Sequence, residues 1–267
     1  MRKLTLNEIQ KIELNILKEI DSFCQKNNLC YYLTGGTLLG AIRHKGFIPW
    51  DDDIDVNMPR PDYERFIKLF KSDNKNYEIR SNRLNNFSAP FTKIVDTRTL
   101  IIEKYRKGNI DTNIWVDIFP VDGLPENPKD IKQIFEKVDF MRKLLLLSDA
   151  KLGVGKNKFR KYAKYILKPL ALILGKKYYC EKIEKIALKY PYEKSRFVGA
   201  ITWGLHGVGE KMLKEEYEKT VEVEFEGEKF PTFSCWHTTL QNVYGDYMKI
   251  PSIENRQQHT MEAYWRD

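Results

Sequence analysis

"GGTLLGAIRHKGFIPWDDDIDV", residues 35–56, decides the fold. It sets two glycines ahead of a short helical pattern, then crowds Asp51, Asp52, Asp53 and Asp55 into five positions. Carboxylates this close repel one another, and burying one without a counter-charge costs several kcal/mol. The stretch therefore predicts a bound cation. In "DIDVNM" (53–58), Asp53, Asp55 and Asn57 alternate with Ile54, Val56 and Met58, so period two predicts a strand with one carboxylate-lined face. Asp53 and Asp55 then point to the same side, roughly 7 Å apart, close enough to grip one hard cation. Magnesium suits such a site, because it takes oxygen ligands and is usually held by one or two carboxylates plus substrate phosphates.

Working upstream, "CYYL" (30–33) reads as a buried strand and "TLLGAIRH" (37–44) as a short helix. Gly35 and Gly36 fall at the turn between them. Followed by Thr37, they let backbone approach a ligand closely, and the helix N-terminus offers unpaired N–H groups to phosphate. Earlier still, Thr5 with Glu8 forms a capping-box signature, and Ile9, Ile12, Ile16, Ile20 and Phe23 recur at helical spacing, predicting a helix over 6–27.

Downstream, Pro61 suits the first turn of a helix ending near Phe70. Extended pieces follow at "YEIRS", "FTKIV", "TLIIEKY" and "IWVDIFP". The last carries Asp117 between Val116 and Ile118, a third carboxylate that converges on the first two if the strands are neighbours. Asp122 reads as shaping a turn before Gly123. Asn127-Pro128 opens a long helix with Ile131, Ile134, Phe135, Val138, Met141 and Leu145 on one face. A break at "GVGKNK" divides an α/β front half, 1–150, from a mainly helical, basic rear half, 151–267, that completes the same fold.

Composition fixes the class. With 267 residues, 42% hydrophobic and 13% aromatic, the chain buries a sizeable core. The amino terminus is an amphipathic helix rather than a signal peptide, and no stretch reaches the ~20 apolar residues of a membrane span. A cytoplasmic location is expected. Cys24, Cys30, Cys180 and Cys235 lack zinc-knuckle spacing and read as free, mostly buried thiols. His44, His206, His237 and His259 form no His-x-x-x-His pair.

The stretch "YLTGGTLLGAIRHKGFIPWDDDIDVNMPRPDYERF" resembles the signature of the LicD family of phosphocholine transferases, within the nucleotidyltransferase superfamily. The likeness continues in "FTKIVDTRT", "WVDIFPVDG", "FEGEKFP" and "YGDYMKIP", and so spans nearly the whole chain. It implies a nucleotidyltransferase-like mixed sheet flanked by helices (α/β, or α+β). Asp53, Asp55 and Asp117 become the catalytic acids, with Asp51 a further metal candidate, and two Mg²⁺ ions bind the donor diphosphate. Asp117 is also the candidate to take the acceptor's proton. Around the diphosphate stand Arg43, His44, Lys93 and Arg98, although Arg43, His44 and Lys93 are equally suited to neutralising Asp51, Asp52 or Asp96. The implied reaction moves phosphocholine from CDP-choline to a sugar hydroxyl of a cell-surface glycan, of teichoic acid or lipopolysaccharide type, or of its lipid-linked precursor, releasing CMP. Related members use CDP-glycerol or CDP-ribitol, and the carboxylates do not distinguish these donors. The zinc-binding cysteine cluster of some animal relatives is missing, so zinc is not carried over.

A quaternary ammonium donates no hydrogen bonds and is usually held by aromatic rings. Trp115, Tyr105, Trp203, Trp236 and Tyr244 are the candidates. The nine Lys and Arg of residues 151–178, with no acid among them, exceed the whole net charge of +8. Within it, 156–178 carries an apolar centre between lysine-rich flanks, helical around a Pro169 kink. Such a segment suits peripheral contact with the anionic inner leaflet, or equally a core helix with solvated lysines. Basicity also suits an RNA nucleotidyltransferase, but no RNA-binding motif accompanies it, and no nucleic-acid partner is expected.

Overall fold

The computed structural model describes residues 1–103, 112–152, 158–256 and 261–266. In chain order the strands are β1 (Arg2–Lys3), β2 (Tyr32–Leu33), β3 (Ile54–Pro59), β4 (Tyr77–Ser81), β5 (Thr92–Glu103), β6 (Thr112–Leu124), β7 (Phe197–Gly199), β8 (Met212–Leu213), β9 (Thr220–Phe225), β10 (Glu228–Phe233) and β11 (Met261–Trp265). The α-helices are α1 (Leu6–Asn27), α2 (Gly35–His44), α3 (Arg60–Leu69), α4 (Pro128–Asp149), α5 (Lys158–Ala187), α6 (Lys214–Tyr217) and α7 (Trp236–Tyr244).

A mixed sheet forms the centre, in the order β1-β11-β5-β6-β3-β2. Among the described residues, β3 and β6 are the pair that runs parallel there. A register shift between Asp96 and Ile101 bends β5, so that its first half pairs with β4 and its second with β11. The capping box at α1 is made: the Glu8 N–H donates to Thr5 Oγ1 at 3.3 Å and the Thr5 N–H to Glu8 Oε2 at 2.9 Å. Ile9, Ile12, Ile16, Leu17 and Ile20 of α1 are buried in the main core with Ile54, Val56, Val116 and Ile118 of the sheet. A second core, Ile131, Ile134, Phe135 and Val138 against Ile183 and Ala187, joins α4 to α5.

The rear half adds strands that the sequence reading did not assign. β9 alternates Val221 and Val223 with Glu222 and Glu224, then turns at Glu226-Gly227, both at positive φ, into β10. β11 returns to the central sheet beside β5. Two further details differ from expectation. The helical geometry of α5 breaks at Gly175 (φ 73°, ψ 162°) and not at Pro169, which stays inside the helix. Asp122 lies within β6, paired with β7, and not at a turn. Its carboxylate receives Arg60 Nε at 2.6 Å and Nη2 at 2.7 Å. Gly123 is small because a Cβ there would sit 2.4 Å from Ser195 Oγ and 2.6 Å from the Tyr190 carbonyl oxygen.

Candidate active site

The register of three adjacent strands builds the site. Asp55 of β3 stands opposite Asp117 of β6, and Asp117 opposite Lys93 of β5. Lys93 Nζ lies 3.2 Å from Asp117 Oδ1 and 3.7 Å from the centre of the Trp115 ring, while Trp115 Nε1 donates to Asp117 Oδ2 at 3.0 Å. Asp117 is therefore clamped from two sides. Asp53 comes just before β3, in a loop where one carboxylate oxygen from each of Asp51, Asp52 and Asp53 lies within 4.8 Å of the others.

The glycine turn closes over these acids. Gly35, at φ +56°, opens α2, and a Cβ there would lie 3.1 Å from Asp55 Oδ2. At Gly36 a Cβ would lie 2.8 Å from Asp51 Oδ2. Side chains at this turn would push into the carboxylates, which is why both positions are bare. Thr37 locks the turn to the strand by accepting the Asp55 N–H on Oγ1 at 2.8 Å. The first N–H groups of α2 and the carboxylates thus face one space.

Its electrostatics favour a cation. Burial, and then the charges of Asp53 and Asp117, raise the Asp55 carboxyl well above the usual range. Burial also raises Asp117, although Lys93 pulls it back. Glu13 of α1, only 1% exposed, is raised by burial and then by Asp53, Asp52 and Asp51, and its Oε2 finds no hydrogen bond among the described residues. An all-oxygen set with this surplus of negative charge fits a hard divalent ion such as Mg²⁺.

Other predicted residues lie elsewhere. Arg43 and His44 sit at the opposite end of α2 from Gly35, where Arg43 donates to His44 Nε2 at 2.9 Å and to the Tyr247 carbonyl at 2.7 Å. Arg98 binds Asp96 through Nε at 2.9 Å and Nη2 at 2.5 Å, at the bend of β5. Among the aromatics, Trp203 and Tyr244 line a cavity shared with Gly35 and Asp55. Trp236 packs against the main core, and Tyr105 lies outside the described residues. Glu13 was missed, yet it falls on the buried stripe Ile9, Ile12, Ile16, Leu17, Ile20, where a lone charge is a readable signal.

Residues 28–146 match the family described as "LicD/FKTN/FKRP, nucleotidyltransferase domain". The chain is 37% identical, over 99% of both proteins, to the lipopolysaccharide cholinephosphotransferase LicD of Haemophilus influenzae. The chain belongs to the LicD family. More distant LicD-like stretches occur in an uncharacterized protein of Rickettsia typhi, 32% identical over 32% of this chain and 28% of that one. Mannosyltransferase regulator 4 of Saccharomyces cerevisiae is 26% identical over 39% of this chain and 9% of its own. The LicD match spans β3 and β6, and so takes in Asp51, Asp52, Asp53, Asp55 and Asp117 but not Glu13.

Proposed function

We propose that this LicD-family chain transfers phosphocholine from CDP-choline to a sugar hydroxyl of a lipopolysaccharide-type glycan or its lipid-linked precursor, releasing CMP. The observation that carries this reading is the in-register row Asp55, Asp117, Lys93 beneath the glycine turn, in a chain similar end to end to a lipopolysaccharide cholinephosphotransferase.

Asp53, Asp55 and Asp117, with Asp51 beside them, would hold Mg²⁺, and two ions there would neutralise the diphosphate and the charge developing on departing CMP. The N–H groups of Gly36 and Thr37 at the start of α2 receive a phosphate oxygen. The acceptor oxygen attacks the phosphorus that carries choline, and the anhydride bond to CMP breaks. Asp117, held in place by Trp115 and Lys93, takes the acceptor's proton. Lys93 keeps a fixed positive charge beside that carboxylate as the proton arrives.

Release of CMP from CDP-choline, CDP-glycerol and CDP-ribitol, with Mg²⁺ and a glycolipid extract, tests the donor. Acceptor-dependent release from CDP-choline supports the reading; release from a polyol donor alone overturns it.

A lipid-linked acceptor suits peripheral binding at the inner membrane face. Among the described residues no helix is long and apolar enough to cross a membrane. On α5, however, Tyr162 (63% exposed), Tyr165, Leu172 and Ile173 (76% exposed) share one face by their spacing, within a segment rich in lysine. Liposome flotation should show the protein bound to anionic vesicles, and Leu172→Ser/Ile173→Ser should cut that binding several-fold. Equal recovery with neutral and anionic vesicles contradicts it.

A further inference from the structure

The cavity beside Asp55 and Gly35 has a volume of about 120 Å³. That is well below the ~300–1,000 Å³ of sites that enclose a drug-sized ligand. It is near the ~150 Å³ of a cavity that holds one benzene molecule. A headgroup fits; a whole nucleotide does not. Its walls include Phe119, Trp203 and Tyr244, and it contains one acid besides Asp55, Glu210.

Nothing in the acidic motif accounts for Glu210. It comes from the short 3-10 turn Gly207–Glu210, remote in sequence from the catalytic strands. One oxygen, Oε1, accepts the His206 N–H at 3.3 Å, which fixes the side chain against its own loop. Gly204 packs tightly beside it, since a Cβ there would lie 2.4 Å from the Ala200 carbonyl oxygen and 3.0 Å from Glu210 Cγ. Burial raises its carboxyl to about 7, with the His206 N–H and Arg142 pulling the other way. A carboxylate so placed gains from a cationic ligand.

The rings around it are fixed. Trp203 packs on Phe91 with centroids 4.9 Å apart, and the Arg142 guanidinium lies 5.8 Å from its ring centre. Tyr244 lines the cavity together with Asp55 and Glu210, and burial, then the charges of those two acids, raise its hydroxyl. Of the neutral polar side chains in the lining, Asn57 donates to Thr34 Oγ1 at 3.1 Å and Thr239 donates to the Cys235 carbonyl at 3.0 Å, so both are already engaged when a polyol would need them. A trimethylammonium group, which donates no hydrogen bonds, finds aromatic faces and a counter-charge.

We infer that Glu210, with Trp203, Tyr244 and Phe119, forms the headgroup subsite, selecting a quaternary-ammonium donor over a polyol donor. This rests on the phosphocholine-transfer reading and adds the residues that choose the donor. Glu210→Gln keeps an acceptor for the His206 N–H and removes only the charge, so the loop should persist.

Calorimetric titration with CDP-choline and CDP-glycerol in the presence of Mg²⁺ reads the effect. The Glu210→Gln protein should bind CDP-choline roughly tenfold more weakly and CDP-glycerol unchanged. Glu210→Asp should restore part of the loss, and Trp203→Leu should repeat it should Glu210→Gln fail to fold. Wild-type binding of CDP-choline with equal affinity in the variants overturns the subsite alone. No wild-type binding of CDP-choline overturns the transfer reading and the subsite together.

Discussion

Asp55→Asn will fold and lose phosphocholine transfer by about 10³-fold, because a metal's charge stabilisation is worth several kcal/mol and each 1.36 kcal/mol is tenfold in rate. Asp55 is a buried carboxylate crowded by like charge: Asp53 and Asp117 raise it after burial, and Gly35 is bare where a Cβ would lie 3.1 Å from its Oδ2. Without divalent ion, that crowding strains the folded state. The amide relieves it, so the metal-free variant should melt at the same temperature as the wild type or above it. Mg²⁺ should raise the melting temperature of the wild type and leave the variant nearly unmoved. Thermal melts with and without Mg²⁺, beside CMP-release rates, check both parts. A variant within about tenfold of wild-type rate that keeps the Mg²⁺ shift would remove Asp55 from the metal site.

Arg60→Met should cost about 3–5 kcal/mol, the range for breaking a buried ion pair on one side only. Arg60 and Asp122 are paired through two hydrogen bonds, with side chains only 7% and 2% exposed. Arg60 also reaches Glu64 at 3.3 Å and Glu184 at 3.5 Å, and Arg83 joins both of those acids. The network thus ties α3 and β6 to α5. Removing Arg60 strands at least two carboxylates away from water. For a chain of this size the melting temperature should fall by roughly 10 °C. Adding Asp122→Leu should recover part of the loss, since the larger share of the cost is the abandoned charge. A drop under about 1 kcal/mol would mean that water reaches the pair.

How far the sequence was legible depends on the range of each interaction. Gly35-Gly36, the period-two run through Asp55 and the capping box are local, and a few neighbouring residues determine them. Asp117 was readable as a strand acid, but its pairing with Lys93 depends on the register of β5 against β6, which no short window contains. Arg43 and His44 show the opposite failure. They are near the glycine turn in sequence, yet the helix carries them to its far end, beside Tyr247. Arg98 was drawn to Asp96 by the bend in β5, a feature without a sequence mark. Trp115 looked like a headgroup ring and is instead a hydrogen-bond donor to Asp117. Glu210 gave no signal at all, because what distinguishes it is the cavity that chain folding builds around it.

The most direct measurement follows the choline itself. CDP-choline labelled in its methyl groups is incubated with the protein, Mg²⁺ and a glycolipid acceptor, and the label in the glycan is counted against CMP released. One labelled choline in the glycan per CMP is the expected result, with both products cut about 10³-fold in Asp55→Asn. Label recovered as free phosphocholine, or cytidine attached to the acceptor while choline phosphate departs, would contradict phosphocholine transfer at this site.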